Sequence, residues 1–240
     1  MKHIPNFITS LNLATGFISV IFVLNGDLIT ASWLILAAMI FDFLDGFTAR
    51  LLKSYSDIGK ELDSLADIVS FGVAPGIIIW RLLERSMQLP EPLEVNHGTF
   101  LTFLILCSTA LMPVCAGLRL AIFNTDETQA RSFKGLPTPA NALAVISLVI
   151  AARYSGSGIS IWLTSSPAAL VTLTMILSLL MVSRIPLLSL KTKDLKFRGN
   201  EGRYILIFLV GISLILGGIG AAVLIIPLYI VSSLAGLLFK

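Results

Sequence analysis

The amino-acid sequence predicts an all-α fold: a polytopic membrane helical bundle of about eight transmembrane helices, with a six-helix core, a C-terminal hairpin and a short N-terminal interfacial helix. Three observations carry that prediction. Of 240 residues, 56% are hydrophobic and only 13% charged, and the mean hydropathy is +0.92, outside the range of a soluble globular domain. The apolar residues gather into eight segments, at 11–25, 28–52, 61–83, 99–123, 137–153, 167–187, 203–218 and 221–239. The basic residues lie between those segments with a strong bias to one side.

In chain order, Met1 and Lys2 precede an apolar run in the manner of a secretory leader. Pro5, Asn6, Thr9, Asn12 and Thr15 interrupt that run and no small-residue cleavage site follows, so the N-terminus is expected to be retained. Pro5 stands where a helix would start, which makes the first stretch the interfacial helix. Asn6 and Thr9, one turn apart, either cap that helix or reach a polar ligand at the cytoplasmic face. The second and third segments are joined by the polar link Lys53-Ser54-Tyr55-Ser56-Asp57 and must be antiparallel neighbours. Asp27, Asp57 and Glu61 sit at helix ends, where an acid is ordinary.

Within the third segment, Pro75 must kink or break the helix. The backbone carbonyls so freed are tolerated at membrane depth only beside a cavity or neighbouring protein. Cys107 and Cys115 lie in apolar sequence without metal-ligand spacing and are expected to pack as small hydrophobes, with no disulfide. The last two segments are near the lower length limit for a span and meet at Gly217-Gly218-Ile219-Gly220, so they form a tight hairpin or one bent helix. The chain thus divides into a core at 1–190 and, at 191–240, a basic cytoplasmic loop with the hairpin.

Eight spans put both ends on one side. Placing them in the cytoplasm assigns 14 of the 17 Lys and Arg residues to that side and leaves only Arg81, Arg85 and Arg153 outside. The segment with Arg184, Lys191, Lys193, Lys196, Arg198 and Arg203 contributes most, as a topology determinant that also touches anionic headgroups. The opposite loop, Glu84 to His97, is expected to be an ordinary exposed connection.

Four carboxylates break the apolar pattern. Asp42 and Asp45 are three apart and Asp63 and Asp67 four apart, so each pair shares one face of its own helix. At about 1.5 Å per residue, Asp45 lies roughly 12 Å before Lys53 and Asp63 roughly 9 Å after Asp57, which puts both pairs at similar depth below one membrane face. Burying a carboxylate at the bilayer centre costs about 2.5–3.5 kcal/mol on insertion scales. Divalent cations would compensate for such a group of acids.

These acids belong to a pattern, D-x2-D-G-x2-A-R-x8-G-x3-D-x3-D, filled here by Asp42, Asp45, Gly46, Ala49, Arg50, Gly59, Asp63 and Asp67. It resembles the CDP-alcohol phosphotransferases. Three further polar stretches, Ser70-Phe71-Gly72-Val73-Ala74-Pro75, Gly117-Leu118-Arg119 through Phe123-Asn124, and Phe133-Lys134-Gly135-Leu136-Pro137-Thr138-Pro139-Ala140, narrow the resemblance to the family's bacterial-type phosphatidylserine synthases. One position departs, because Ile122 stands where that subgroup commonly has a basic residue. The resemblance covers residues 5–190.

The resemblance implies that Asp42, Asp45, Asp63 and Asp67 hold two divalent cations, with Asp67 also the catalytic base. It implies that Gly46, Ala49, Arg50 and Gly59 bind CDP and that Asn6 and Thr9 lie beside the nucleotide. The all-oxygen donor set points to Mg or Mn, and two such ions can clamp a diphosphate for in-line displacement. The implied substrates are CDP-diacylglycerol and L-serine. Arg119 lies a turn or more inside its span, either as an arginine reaching to the interface or as an anion ligand. Lys134 nearby favours the second, so both are candidates for binding serine. Other acceptors, glycerol phosphate or an inositol phosphate, are the alternative within the family, and a cation- or proton-coupled transporter is the rival outside it. The acids stop at one depth and the outer halves of the spans are apolar, which argues against an ion path. The expected partners are these substrates, the lipid bilayer of the inner (cytoplasmic) membrane and a second copy in a homodimer, with no nucleic acid.

Overall fold

Pro5 lacks an amide hydrogen and is preset for the first turn of a helix, and α1 (Ile4–Leu24) begins there. The polar residues that follow do not interrupt it. The Thr9, Ser10 and Thr15 hydroxyls donate to the carbonyls of Pro5, Asn6 and Leu11, four residues back, at 3.0, 2.8 and 2.6 Å, so their polarity is spent inside the helix. The separate interfacial helix expected from the sequence is therefore one element with the first span. The computed structural model describes residues 3–54, 56–89, 100–125, 135–155, 158–185, 187 and 201–237.

The chain turns at Gly26, whose φ of +83° needs glycine's freedom. Asp27 then caps α2 (Leu28–Leu51) by accepting from the Thr30 amide at 3.0 Å. Helices α1 and α2 pack antiparallel, and the Ser19 hydroxyl donates to the Ala31 carbonyl at 3.0 Å. Ser56 caps α3 (Asp57–Asp67) from the Gly59 amide at 3.0 Å.

The third span is continuous over Asp57–Ser86. It runs from α3 through a π-helical turn at Ile68–Val73 into α4 (Ala74–Ser86). The sequence leads one to expect a kink at Pro75, and the π-turn is its resolved form. Pro75 cannot donate to the carbonyl four residues back, that of Phe71, and the Asn141 amide donates to it instead at 3.0 Å. The fourth span comprises α5 (Phe100–Cys107), a 3₁₀ turn at Ser108–Ala110 and α6 (Leu111–Thr125). Gly72 and Gly76 let the third span approach it closely, since a side-chain carbon at Gly72 would lie 3.2 Å from the Pro113 backbone and one at Gly76 3.3 Å from the Thr109 carbonyl.

Helix α7 (Thr138–Tyr154) is the most enclosed, with buried residues on every side. It is followed by α8 (Gly158–Ser165), which the sequence pattern did not reveal, and α9 (Pro167–Val182). Helices α10 (Glu201–Gly217) and α11 (Ile225–Leu237) flank a 3₁₀ segment at Gly218–Leu224 and pack against each other. Gly218 at φ +57° starts the reversal, so the run is a hairpin. No strand occurs among the described residues.

Five helical runs are long and apolar enough to cross a bilayer, or six with α7 and α8 taken as one bent span. The protein is a polytopic helical membrane protein. The count differs from eight because α7 and α9, at 17 and 16 residues, fall short of a full crossing, which takes about 20 residues. The hairpin arms also lie within a single apolar run, Tyr204–Ser233. Most of the basic segment, from Lys191 to Arg198, lies outside the described residues, as do His97 and Lys134. Cys107 and Cys115 are free thiols, as expected.

Candidate active site

Helices α2 and α3 run antiparallel and bring three carboxylates together. One oxygen each from Asp42, Asp63 and Asp67 lies within 4.8 Å of the other two. Asp45 stands just outside that trio, one turn nearer the α2–α3 link. It shares an electrostatic field with Asp63 and Asp67 and has the Thr9 side chain beside it. The four acids expected to converge do so, as a tight trio with Asp45 adjacent.

Asp45 is 5% exposed and Asp67 is also buried. The Thr138 hydroxyl donates to Asp67 Oδ2 at 3.3 Å. Asp67 Oδ1 and Asp45 Oδ2 are enclosed and accept no hydrogen bond from the described residues. Buried carboxylate oxygens without donors are costly unless a cation meets them. The donor set, all carboxylate oxygen, fits a hard divalent ion, and the Asp cluster is able to bind one. Arg119 of α6 is buried and electrostatically coupled to Asp67, so one organic cation already faces the trio.

Beside the acids, between α1, α2 and α3, a cavity of about 420 Å³ opens. Every residue tied to CDP by the resemblance lines it: Asn6, Thr9, Gly46, Ala49, Arg50 and Gly59. Asp45 and Asp63 form the wall it shares with the trio. The glycines are small for a reason. A side-chain carbon on Gly59 would lie 2.8 Å from Asn6 Oδ1, and one on Gly46 would project into the cavity, with Arg50 Nη1 its nearest neighbour at 3.9 Å.

Sequence reasoning missed Ser54, Ser56 and Lys60, which also line the cavity. Lys60 Nζ donates to the Asn124 carbonyl at 3.1 Å, and Asn124 Nδ2 donates to Ser64 at 2.8 Å. Asn124 of the second polar stretch thus ties α6 to α3. The third stretch docks through Gly135 and Leu136, whose amides donate to the Ile185 and Leu180 carbonyls at 2.9 Å each. That docking sets Thr138 at the first turn of α7, over Asp67. Ile122 is exposed on α6. Of the expected serine-binding pair, Lys134 falls outside the described residues and Arg119 is the one beside Asp67 among those described.

Comparison with known proteins adds to this geometry. The family model described as CDP-alcohol phosphatidyltransferase matches residues 2–182. Among curated relatives, the CDP-diacylglycerol–serine O-phosphatidyltransferase of Mycobacterium leprae is 36% identical over 199 residues, 80% of this chain and 60% of the relative. The enzyme of the same name from Bacillus subtilis is 32% identical over 185 residues, 77% of this chain and 89% of the relative. The archaetidylserine synthase of Methanothermobacter thermautotrophicus is 31% identical over 154 residues, 63% of this chain and 60% of the relative. The chain thus spans about 60% of the length of the mycobacterial and archaeal relatives it matches.

Proposed function

The chain belongs to the CDP-alcohol phosphatidyltransferase family, and from that premise we propose that it transfers the phosphatidyl group of CDP-diacylglycerol to L-serine, releasing CMP. One observation carries the assignment: the cavity that holds all six expected nucleotide contacts shares a wall with the carboxylate trio. A nucleotide seated there has its diphosphate at the acids. The relatives' names supply serine as the acceptor.

Asp42, Asp63 and Asp67, with Asp45 from the cavity side, are the residues that would hold two divalent cations, Mg or Mn. When bound, such ions neutralise the diphosphate and stabilise the entering and leaving oxygens. The protein's own groups do the rest. Gly46 and Gly59 leave room for the nucleotide against the helix backbones, Arg50 at the cavity rim faces its phosphate or ribose, and Asn6 and Thr9 close the α1 side. Asp67, oriented by Thr138, takes the proton of the serine hydroxyl as that oxygen bonds to the phosphorus bearing the diacylglycerol ester. The bond from that phosphorus to CMP breaks, and CMP leaves with the electron pair. Arg119, buried next to Asp67, binds the serine carboxylate through its planar guanidinium.

The site opens to the cytoplasm from the inner membrane, by the distribution of basic residues. The assembly we expect is a homodimer, from family resemblance alone. The test is to supply purified protein with CDP-diacylglycerol, a divalent cation and a panel of labelled alcohols, and to identify the lipid product. Phosphatidylserine with stoichiometric CMP is expected, and transfer only to glycerol phosphate or an inositol phosphate would overturn the choice of acceptor.

A further inference from the structure

Asn12 is 0% exposed, and neither Nδ2 nor Oδ1 of its side chain makes a hydrogen bond within the described protein. Every other buried polar side chain on that face of α1 has a partner: Thr9 donates to the Pro5 carbonyl and Ser19 to the Ala31 carbonyl. Across from it, Ser70 donates to the backbone carbonyl of Asn12 itself at 3.1 Å. Leaving a buried polar group unsatisfied is costly, and here an amide's donor and acceptor are both left so. Nothing in the apolar packing of α1 calls for an amide at this point.

The helix register says what lies next to it. Thr9 stands beside Asp45, and α1 and α2 are antiparallel. One turn further along α1 is Asn12, and one turn back along α2 is Asp42, so these two share a level. Ser70, which holds the Asn12 backbone, is one turn beyond Asp67. Asn12 therefore sits at the inner end of the site, level with Asp42 and Asp67, whereas the nucleotide cavity with Thr9, Asn6 and Gly59 lies one turn nearer the surface.

We propose that Asn12 is a substrate-binding residue of this site, its side-chain amide held for an oxygen of the outer phosphate of the donor's diphosphate, the phosphorus that is transferred. The inference rests on the phosphatidyl-transfer reading. A nucleotide in the cavity directs its diphosphate inward, past Thr9 and Asp45. The group that arrives at the level of Asn12 is the second phosphate. It is anionic and surrounded by carboxylates, and Nδ2 is a neutral donor that remains available there. As a hydrogen bond to a charged oxygen in an enclosed site, it strengthens as charge builds on that phosphate in the transition state.

The experiment compares wild type with Asn12→Leu, which keeps the branched shape and removes the amide, and with Asn12→Ser, which keeps a donor. Calorimetry measures CMP and CDP binding with divalent cation present, and thermal unfolding is followed without ligand. We expect Asn12→Leu to bind CDP about 10-fold or more weakly while CMP affinity stays within twofold, and kcat to fall about 10²-fold. Unliganded Tm should be unchanged or higher, because an unpaired buried amide has been replaced by a hydrocarbon. Asn12→Ser should recover part of the CDP affinity. Equal losses for CMP and CDP, unaltered CDP binding, or a lowered Tm with proportionate loss of active protein would each overturn the assignment. Failure of the underlying reading is distinguishable, since it would show as wild-type protein that transfers phosphatidyl to no alcohol.

Discussion

Two buried carboxylates at opposite ends of the bundle, Asp45 and Glu84, are each 5% exposed, and the protein treats them differently. Glu84, near the end of α4, has both oxygens occupied. Oε1 accepts from Trp80 Nε1 at 2.7 Å and Oε2 from Arg81 Nη1 at 2.7 Å. Arg81 and the neighbouring Arg85 also donate to the Leu24 and Gly26 carbonyls, at 3.5 and 2.7 Å, which fastens α4 to the α1–α2 turn. At the other end, Asp45 Oδ2 and Asp67 Oδ1 accept nothing from the described residues, and one turn from Asp45 a trio of carboxylates crowds together. Burial alone therefore does not separate a structural acid from a functional one, whereas the state of its lone pairs does. A satisfied acid closes a joint, and an unsatisfied one in a cluster is arranged for something that arrives from outside.

This contrast can be tested by substitution at each end. Asp63→Asn should bring phosphatidyl transfer below detection, and Asp67→Asn should lower kcat by about 10²–10⁴-fold, both without loss of folded protein. Near-normal turnover in either variant would remove the reaction from this position. Next in size, Gly59→Leu places a side chain against Asn6, and the KM for CDP-diacylglycerol should rise at least 10-fold with the serine KM unmoved, read from kinetics with each substrate varied in turn. Smallest in activity is Glu84→Gln, which should leave kcat and both KM values intact while costing about 1–3 kcal/mol of stability, visible as a lowered Tm. A Glu84→Gln variant with normal Tm and impaired turnover would reverse the roles assigned to the two ends.

The acids were legible in the sequence because charge inside an apolar run stands out residue by residue. Their shared depth followed from helix rise and the short link between Lys53 and Asp57. The residues expected beside a nucleotide were legible through the spaced motif and the N-terminal polar stretch with Asn6 and Thr9, and all of them line the cavity. What was not legible depends on pairs far apart in the chain. That Asn141 would relieve the Phe71 carbonyl left by Pro75, or that Thr138 would donate to Asp67, joins residues about 70 positions apart, and no local pattern encodes such a meeting. The π-turn at Ile68–Val73 was hidden for the same reason, since a proline announces a lost hydrogen bond without saying how the helix absorbs it. The unbroken α1 was missed because polar residues near a helix start suggest a boundary, whereas here Thr9, Ser10 and Thr15 bond to their own helix.

The central claim, that the clustered carboxylates of α2 and α3 form a divalent-cation site, is tested most directly by titrating Mn²⁺ into the purified protein and counting bound ions by electron paramagnetic resonance. Wild type and Glu84→Gln should bind Mn²⁺ alike, and a variant carrying Asp42→Asn, Asp63→Asn and Asp67→Asn together should bind none at the same free concentration. Saturable Mn²⁺ binding by that triple variant at wild-type stoichiometry, or its loss in Glu84→Gln, would contradict the account.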